Sequence, residues 1–416
     1  MRRSSVAASL FAFAILAPAA AIAQDPDPIF ASSHEDGECV GLACFQLACQ
    51  AGTTRISGKV YAPNGTLPLP GVTVFVPNAK LDPIPPTPTC DRCGAPPSGN
   101  PLVSTTSGPD GSFVLDDAPA TTGVKLVVQS GRWRRETTIP VVAACTETVV
   151  DASLTCMPRN PGEGDVPRIA VVTGGADAVE CVVRKTGLDA SQFTVAGGAG
   201  RVHLYAGLGG TDAMDGASGG QTMLPATDLW STVEALRQYD IVVLGCEGQQ
   251  NTNAKPIASR VAMKQYVDGG GRVMGDHLQN YWIQSGPDPW PALATWNLSL
   301  SSLAPFEADV EQGFPRGASL AGWLFATDPS STQGKVQIVE GRQTAITVDE
   351  TRVRKWIHLA STTNAQPSVQ YFSFNAPIEA AASARCGRVV FTDLHASPGD
   401  SSSTSLAFPS GGCTTP

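Results

Sequence analysis

The chain has 416 residues, 42% of them hydrophobic and 16% charged, with 42 glycines and 33 prolines. That length exceeds one ordinary domain, and the turn-rich composition excludes coiled coils and long helical bundles. Lys+Arg number 28 against 37 Asp+Glu, a net charge of −9 with no basic run to offset it. A nucleic-acid footprint is thereby excluded, because phosphate contacts need clustered cations.

The first 23 residues read as an export signal. Arg2 and Arg3 form a positive start, Val6 to Pro18 carries an apolar stretch, and Ala21-Ile22-Ala23 makes a small-residue cleavage site before Gln24. The apolar stretch falls short of the ~20 residues of a spanning helix, and no later stretch is long and apolar enough to serve. The paired arginines lack a twin-arginine context, and no Cys follows the cleavage site to take a lipid. The mature chain is therefore expected to be exported: periplasmic, on the outer surface or extracellular, with no transmembrane segment.

Cys39, Cys44, Cys49, Cys90, Cys93, Cys145, Cys156, Cys181, Cys246, Cys386 and Cys413 all follow the signal. In an oxidising compartment they are read first as disulfides, and their odd number leaves at least one thiol free or paired between chains. Cys90-Asp-Arg-Cys93 could be a redox pair or half a zinc site. Zinc would want a second ligand pair, and a redox pair would want a strand-to-helix junction. Pro85, Pro86, Pro88, Pro96 and Pro97 surround the motif instead, so it reads as a cross-link in a loop.

Residues 24–52 form a Cys-bearing leader. From Thr53 short β runs alternate with turns: Arg55 to Tyr61, Gly71 to Val76, Ser112 to Leu115 after the turn Pro109-Asp-Gly111, Val124 to Gln129, and Glu136 to Val141. Strands so spaced, with no helical period between them, predict an antiparallel β-sandwich over 53–158, with the insert 82–101 as a surface loop. Ile56-Ser-Gly-Lys-Val60, Pro70-Gly-Val-Thr-Val74 and Gly108-Pro-Asp-Gly-Ser-Phe-Val114 resemble the carboxypeptidase regulatory-like domain, a transthyretin-like sandwich. The resemblance implies a non-catalytic module, sometimes linked to carbohydrate binding. No H-x-x-E or H-E-x-x-H motif accompanies it, so no peptidase activity is carried over.

Residues 159–167 read as a linker, and beyond them strands alternate with helices through 168–400. Arg168 to Thr173, Asp240 to Leu244, Arg272 to Gly275 and Gly387 to Thr392 are the strands. Ala176 to Gly187, Leu229 to Tyr239 and Ala258 to Val267 are the helices, and the glycine-dense stretch 196–223 is a surface excursion rather than a packed element. This order predicts a flavodoxin-like α/β domain with an open parallel sheet. Residues 401–416 read as a disordered Ser/Gly-rich tail.

Tyr239-Asp-Ile-Val-Val-Leu-Gly245, Gln265-Tyr-Val-Asp-Gly-Gly-Gly-Arg-Val273 and Gly387 through His395 resemble the class I glutamine amidotransferase-like fold, in its trehalose-utilisation-protein-like branch. Together the two modules behind an export signal resemble a group of secreted bacterial proteins. An eightfold barrel, and with it a tryptophan synthase activity, would need many more strand–helix repeats. The resemblance implies a nucleophilic Cys on the turn after the third strand and a His after the late strand. Here that turn is Met274-Gly-Asp-His-Leu278, with neither Cys nor Ser. His395 matches the family's His, but Ser397 stands where the family has Glu. Glutamine hydrolysis is not expected.

Cys246, in Gly245-Cys-Glu-Gly248, imitates a nucleophile elbow on the wrong strand. It is read instead as the disulfide partner of Cys181, and Cys386 as the partner of Cys413. Ligands of open α/β sheets bind at the strands' carboxyl ends, which should gather Asp177, Glu247, Asp276, His277, Asp393 and His395. Asp276, His277 and His395 are candidates for catalysis, and with Asp393 for holding a divalent metal, the one cofactor implied. Glu247, Tyr281, Trp282 and Trp290 are candidate ligand residues, since aromatic rings beside a polar cleft suit sugar stacking, though such rings also pack loops onto sheets. The expected function is a secreted, non-catalytic binding protein whose partner is carbohydrate or a cell-surface component, engaged through the sandwich and the α/β cleft. The alternative is a metal-assisted hydrolase at the sheet's carboxyl edge.

Overall fold

In the computed structural model the described residues are 39–90, 96–298, 305–360, 366–395, 407–409 and 413. The expected signal 1–23, the start of the leader and Cys93 lie outside them. Seven strands come first: β1 (Arg55–Lys59), β2 (Thr73–Pro77), β3 (Pro101–Thr106), β4 (Ser112–Leu115), β5 (Thr122–Ser130), β6 (Trp133–Val141) and β7 (Glu147–Val149). They form two sheets, ordered β4-β1-β7 and β3-β2-β5-β6. Period-two alternation turns Ile56, Phe113 and Leu115 of one sheet and Val74, Val76, Leu126 and Val128 of the other into a single apolar core. Each such side chain contributes roughly 1.5–3 kcal/mol on burial.

Two strands were not expected. β3 begins at the end of the insert read as a loop, and β7 pairs with β1 in parallel rather than antiparallel fashion. The turn before β4 is built as its residues predict. Asp110 accepts from Ser112 N–H at 3.1 Å, and Gly111 adopts φ +79° where a Cβ would meet Val60 O at 2.7 Å.

Thirteen further strands follow: β8 (Ile169–Val172), β9 (Phe193–Val195), β10 (Val202–Ala206), β11 (Leu224–Pro225), β12 (Ile241–Leu244), β13 (Arg272–Asp276), β14 (Ala294–Trp296), β15 (Phe306–Val310), β16 (Lys335–Ile338), β17 (Ala345–Val348), β18 (Arg354–Leu359), β19 (Ser368–Ala376) and β20 (Gly387–Thr392). One mixed eleven-stranded sheet runs β11-β10-β8-β12-β13-β20-β19-β18-β15-β16, with β9 beside β10, while β14 and β17 pair separately. From β10 to β20 the pairing is parallel; from β20 outward it is antiparallel. β8 is buried at all four residues, as a strand covered on both faces must be.

The stretch 196–223 is not merely a surface excursion. It contains β10, buried from Val202 to Tyr205, with His203 Nδ1 2.8 Å from Tyr239 Oη. The first two expected helices are shorter or broken, at Val179–Lys185 and at Ala226–Leu229 with Val233–Leu236, while the third runs Ile257–Asp268, a residue longer at each end than expected. The expected helix 229–239 breaks because Thr232 turns extended and caps the next turn, its side chain accepting from Ala235 N–H.

The first seven strands and the large sheet are joined by buried polar contacts. Arg132 Nε lies 3.3 Å from Asp240 Oδ1, with both side chains under 10% exposed. Trp323 Nε1 donates to Pro68 O at 2.8 Å. The segment read as a linker is itself anchored, since Arg134 pairs with Asp165 at 2.9 Å.

The disulfides differ from those expected. Cys181 bonds to Cys413, Cys386 to Cys90, and Cys49 to Cys145, while Cys39 and Cys44 are also oxidised. Cys246 is a free buried thiol, and Cys156 is the other free thiol among the described residues. The cause lies in segments that sequence pattern did not place. Phe408, inside the stretch read as a disordered tail, is 2% exposed and bridges Met214, which carries Cys413 to the Cys181 helix. The 82–101 insert lies against Gly270, where a Cβ would meet Thr89 O at 2.3 Å, and so delivers Cys90 to Cys386.

Candidate functional site

Because β8, β12, β13 and β20 run parallel and adjacent, their carboxyl ends open on one edge. Cys246 follows β12, Asp276 and His277 close β13, and Asp393 and His395 follow β20. His277 adopts φ +43°, a left-handed conformation uncommon outside glycine, and starts the tight turn His277–Asn280. That turn sets its imidazole between the ends of the neighbouring strands. Cys246 Sγ lies 3.3 Å from His277 Nδ1, and His395 Nε2 lies 3.2 Å from the same nitrogen. The three atoms all fall within 4.8 Å of one another. Cys246 is 0% exposed and His277 4%. On the far side of His395, Nδ1 faces Glu340 at 3.6 Å and Arg342 at 3.4 Å.

Burial dominates the electrostatics. Desolvation, with His395 and Arg342 nearby, pushes His277 down to about 3, so its ring is neutral near pH 7. Burial and then Arg342 also lower His395. The Cys246 thiol is pushed up by burial, against the N–H groups of Leu278 and Gly248, which favour the thiolate. Burial and the neighbouring Asp177 carboxyl hold Asp276 well above the carboxylate range. Asp393 rises to about 7 on burial, offset in part by amide bonds from Thr344 at 2.6 Å and Ala345 at 3.0 Å.

The expected residues therefore divide. His277 and His395 meet, and Cys246, expected in a disulfide, joins them. Asp276 and Asp393 are buried at 2% and 0% exposure and stand outside that trio, so the expected metal set loses both carboxylates. Glu247 is not available to a ligand. Lys255 Nζ pairs with it at 2.5 Å, Leu208 N–H donates to it at 2.9 Å, and neither charged side chain is more than 1% exposed. Lys255 had no signal in the sequence beyond being a cation near an acid. Burial lowers its pKa while Glu247 opposes that shift.

The aromatic platform is also corrected. Trp282 and Trp290 are 3% and 1% exposed: Trp282 packs edge-on against Trp230, and Trp290 against Phe374. They are core, because a ring of that size gains more from burial than from waiting for a ligand. Tyr281 is half-buried beneath Arg260, whose guanidinium stands 5.2 Å from the ring centre.

Towards the opposite end of β20 from His395 lies a depression of about 480 Å³. Arg316, Arg352, Arg354, Arg385 and Arg388 line it, together with Phe314 and Trp356. Arg354 is seated 4.5 Å over the Phe314 ring, and Arg388 is oriented by Asn375 at 3.0 Å. Arg352 is tied to Asp349, whereas Arg316 and Arg354 make no ion pair among the described residues. Glu350, which also lines the depression, is paired with Lys355 at 2.7 Å.

No protein-family model and no curated protein matches this chain. Among solved structures it is similar to a ThuA-like protein from Bacteroides uniformis, at 10% identity and a TM-score of 0.32, over 55% of this chain and 82% of that one. A cytoplasmic protein from Salmonella typhimurium aligns at 10% identity and a TM-score of 0.30, over 55% and 89%. A cohesin–X-dockerin complex from Acetivibrio cellulolyticus aligns at 17% identity and a TM-score of 0.17, over 35% and 78%.

Proposed function

We propose that the protein is an exported, non-catalytic binding protein whose ligand is a carbohydrate carrying acidic groups. The observation that carries this reading is the depression of five arginines in a chain of net charge −9. Guanidinium groups held by an aromatic face and an amide are pre-oriented for carboxylate or sulfate oxygens, and lose little freedom on binding. The fold assignments belong to the same proposal: a transthyretin-like regulatory sandwich in the first seven strands, and a flavodoxin-like, amidotransferase-like body around β8 to β20. On that reading the turn matched to the family's nucleophile, Met274 to Leu278, carries neither Cys nor Ser, which speaks against the family's acyl transfer. Export is supported by the signal-like start and by cross-links such as Cys49–Cys145. No helix among the described residues is long and apolar enough to cross a membrane.

Titration calorimetry with uronate-rich and sulfated oligosaccharides, against neutral ones, tests the reading. Acidic glycans should bind and neutral ones should not, with Arg316→Glu/Arg354→Glu abolishing the signal in a folded protein. Equal affinity for neutral glycans, or no binding to either class, would overturn it. A metal-assisted hydrolase at the strand edge is the second reading, favoured by the convergence of Cys246, His277 and His395.

A further inference from the structure

We infer that Cys246 Sγ, His277 Nδ1 and His395 Nε2 form a three-ligand site for a zinc-class divalent ion, with the fourth position left to water or an exogenous ligand. The distances carry the argument. With Zn–N near 2.0–2.1 Å and Zn–S near 2.3 Å, tetrahedral angles separate two nitrogens by about 3.3 Å and sulfur from nitrogen by about 3.6 Å. The structure holds the nitrogens 3.2 Å apart and the sulfur 3.3 Å from His277 Nδ1. Two of the three separations thus match those around one small ion, and the third lies within 4.8 Å.

The metal-free arrangement is also chemically overcommitted. His277 Nδ1 can offer one lone pair or one N–H, yet two neighbours approach it within hydrogen-bonding distance. A cation resolves the conflict by accepting three lone pairs at a common point. On loading, Cys246 gives up its thiol proton to solvent, and the resulting thiolate pair forms the S–metal bond. His395 coordinates through Nε2 and carries its proton on Nδ1, which faces the Glu340 carboxylate at 3.6 Å, with Arg342 Nη2 3.4 Å from the same nitrogen. A carboxylate behind a ligating imidazole fixes its tautomer and raises its basicity. One thiolate with two imidazoles selects zinc, cobalt or copper over magnesium or calcium. Neither the left-handed turn at His277 nor the burial of three ligating side chains is needed to close a strand.

The test uses the full mature chain. Elemental analysis of protein purified without chelator should find about one zinc-class ion per chain. Stripped protein reloaded with Co²⁺ should show thiolate-to-cobalt charge-transfer absorption together with tetrahedral d–d bands. Cys246→Ser should remove the charge-transfer band, His395→Ala should remove bound metal, and Glu340→Gln should weaken Co²⁺ binding roughly tenfold while keeping the band. Folding of each variant is checked by circular dichroism. A folded wild-type chain that neither retains metal nor gives the cobalt spectrum overturns the proposal, as does a charge-transfer band that survives Cys246→Ser. These outcomes are separable from the glycan test, because the arginine depression shares no residue with this site.

Discussion

Between β1 and β7 the interior is apolar, a set of aliphatic side chains joined by Phe113 and Met157. At the carboxyl edge of the large sheet the interior instead contains Asp177, Glu247, Lys255, Asp276, His277 and Asp393, none more than 6% exposed. The first arrangement is what folding alone selects, since burial of hydrocarbon is favourable at every position. The second costs free energy at each group unless a partner offsets it. Glu247 and Lys255 offset one another; burial raises Asp276 and Asp393, the latter to about 7, and lowers His277, which biases each of the three towards its neutral form. Ionisable groups are thus concentrated at this edge and kept out of the interior between the first two sheets.

The contrast is broken most severely at the buried ion pair. Lys255→Ala leaves Glu247 charged and uncompensated, and should cost about 4 kcal/mol of unfolding free energy in denaturant titrations. Lys255→Met with Glu247→Gln should recover most of that loss; if the single variant is as stable as wild type, the pair is not a structural necessity. Next, Cys413→Ser opens the cross-link that ties the C-terminal segment to the Cys181 helix, and should lower stability by about 3 kcal/mol in non-reducing denaturant melts. An unchanged midpoint would mean that Phe408 alone holds the segment.

A third effect depends on pH. Burial, with Asp177 nearby, raises Glu180 from 4.5 to about 7, and its Oε2 has no hydrogen-bond partner. A carboxyl with a raised folded pKa leaves stability untouched below the unfolded value and erodes it as pH climbs between the two. Glu180→Gln should therefore match wild type near pH 4 and exceed it by up to about 3 kcal/mol near pH 8. A difference that does not grow across that interval rules the shift out. The smallest effect compares the two free thiols. Cys156 is partly exposed beside Arg135, so native protein should be alkylated there, with Cys156→Ser changing stability by less than about 0.5 kcal/mol. Cys246 should resist alkylation until the chain unfolds, without any need for reductant. Rapid native labelling of Cys246, read by peptide mapping, would open the strand edge to solvent and undo the contrast.

Elements with a clean local period were legible in the sequence. β4 and the helix Ile257–Asp268 lie within a residue of their expected bounds, and β8, β13 and β20 fall where apolar runs end in glycine or a polar turn. β10 was obscured by flanking glycines, although Val202-His-Leu-Tyr-Ala206 can be read as a strand once Gly198 and Gly200 are recognised as close approaches to Thr194 and Gln192. The two histidines were legible because each follows a recognisable strand. Cys246 was misplaced because disulfide partners depend on long-range packing of segments, the 82–101 insert and the C-terminus, that carry no periodicity. The sugar-stacking reading of Trp282 and Trp290 failed for a related reason: residue type says nothing of which face of a loop is turned inward.

The Cys90–Cys386 bond spans 296 residues and joins the insert of the first sheets to the start of β20. Topologically it makes the chain between those residues a covalent ring. A single protease cut within 159–167, however accessible, opens the ring without releasing either part. The cleaved protein should still migrate as one species until reductant is added, then separate into two. Backbone continuity across that segment is therefore not what keeps the first sheets attached to the large one.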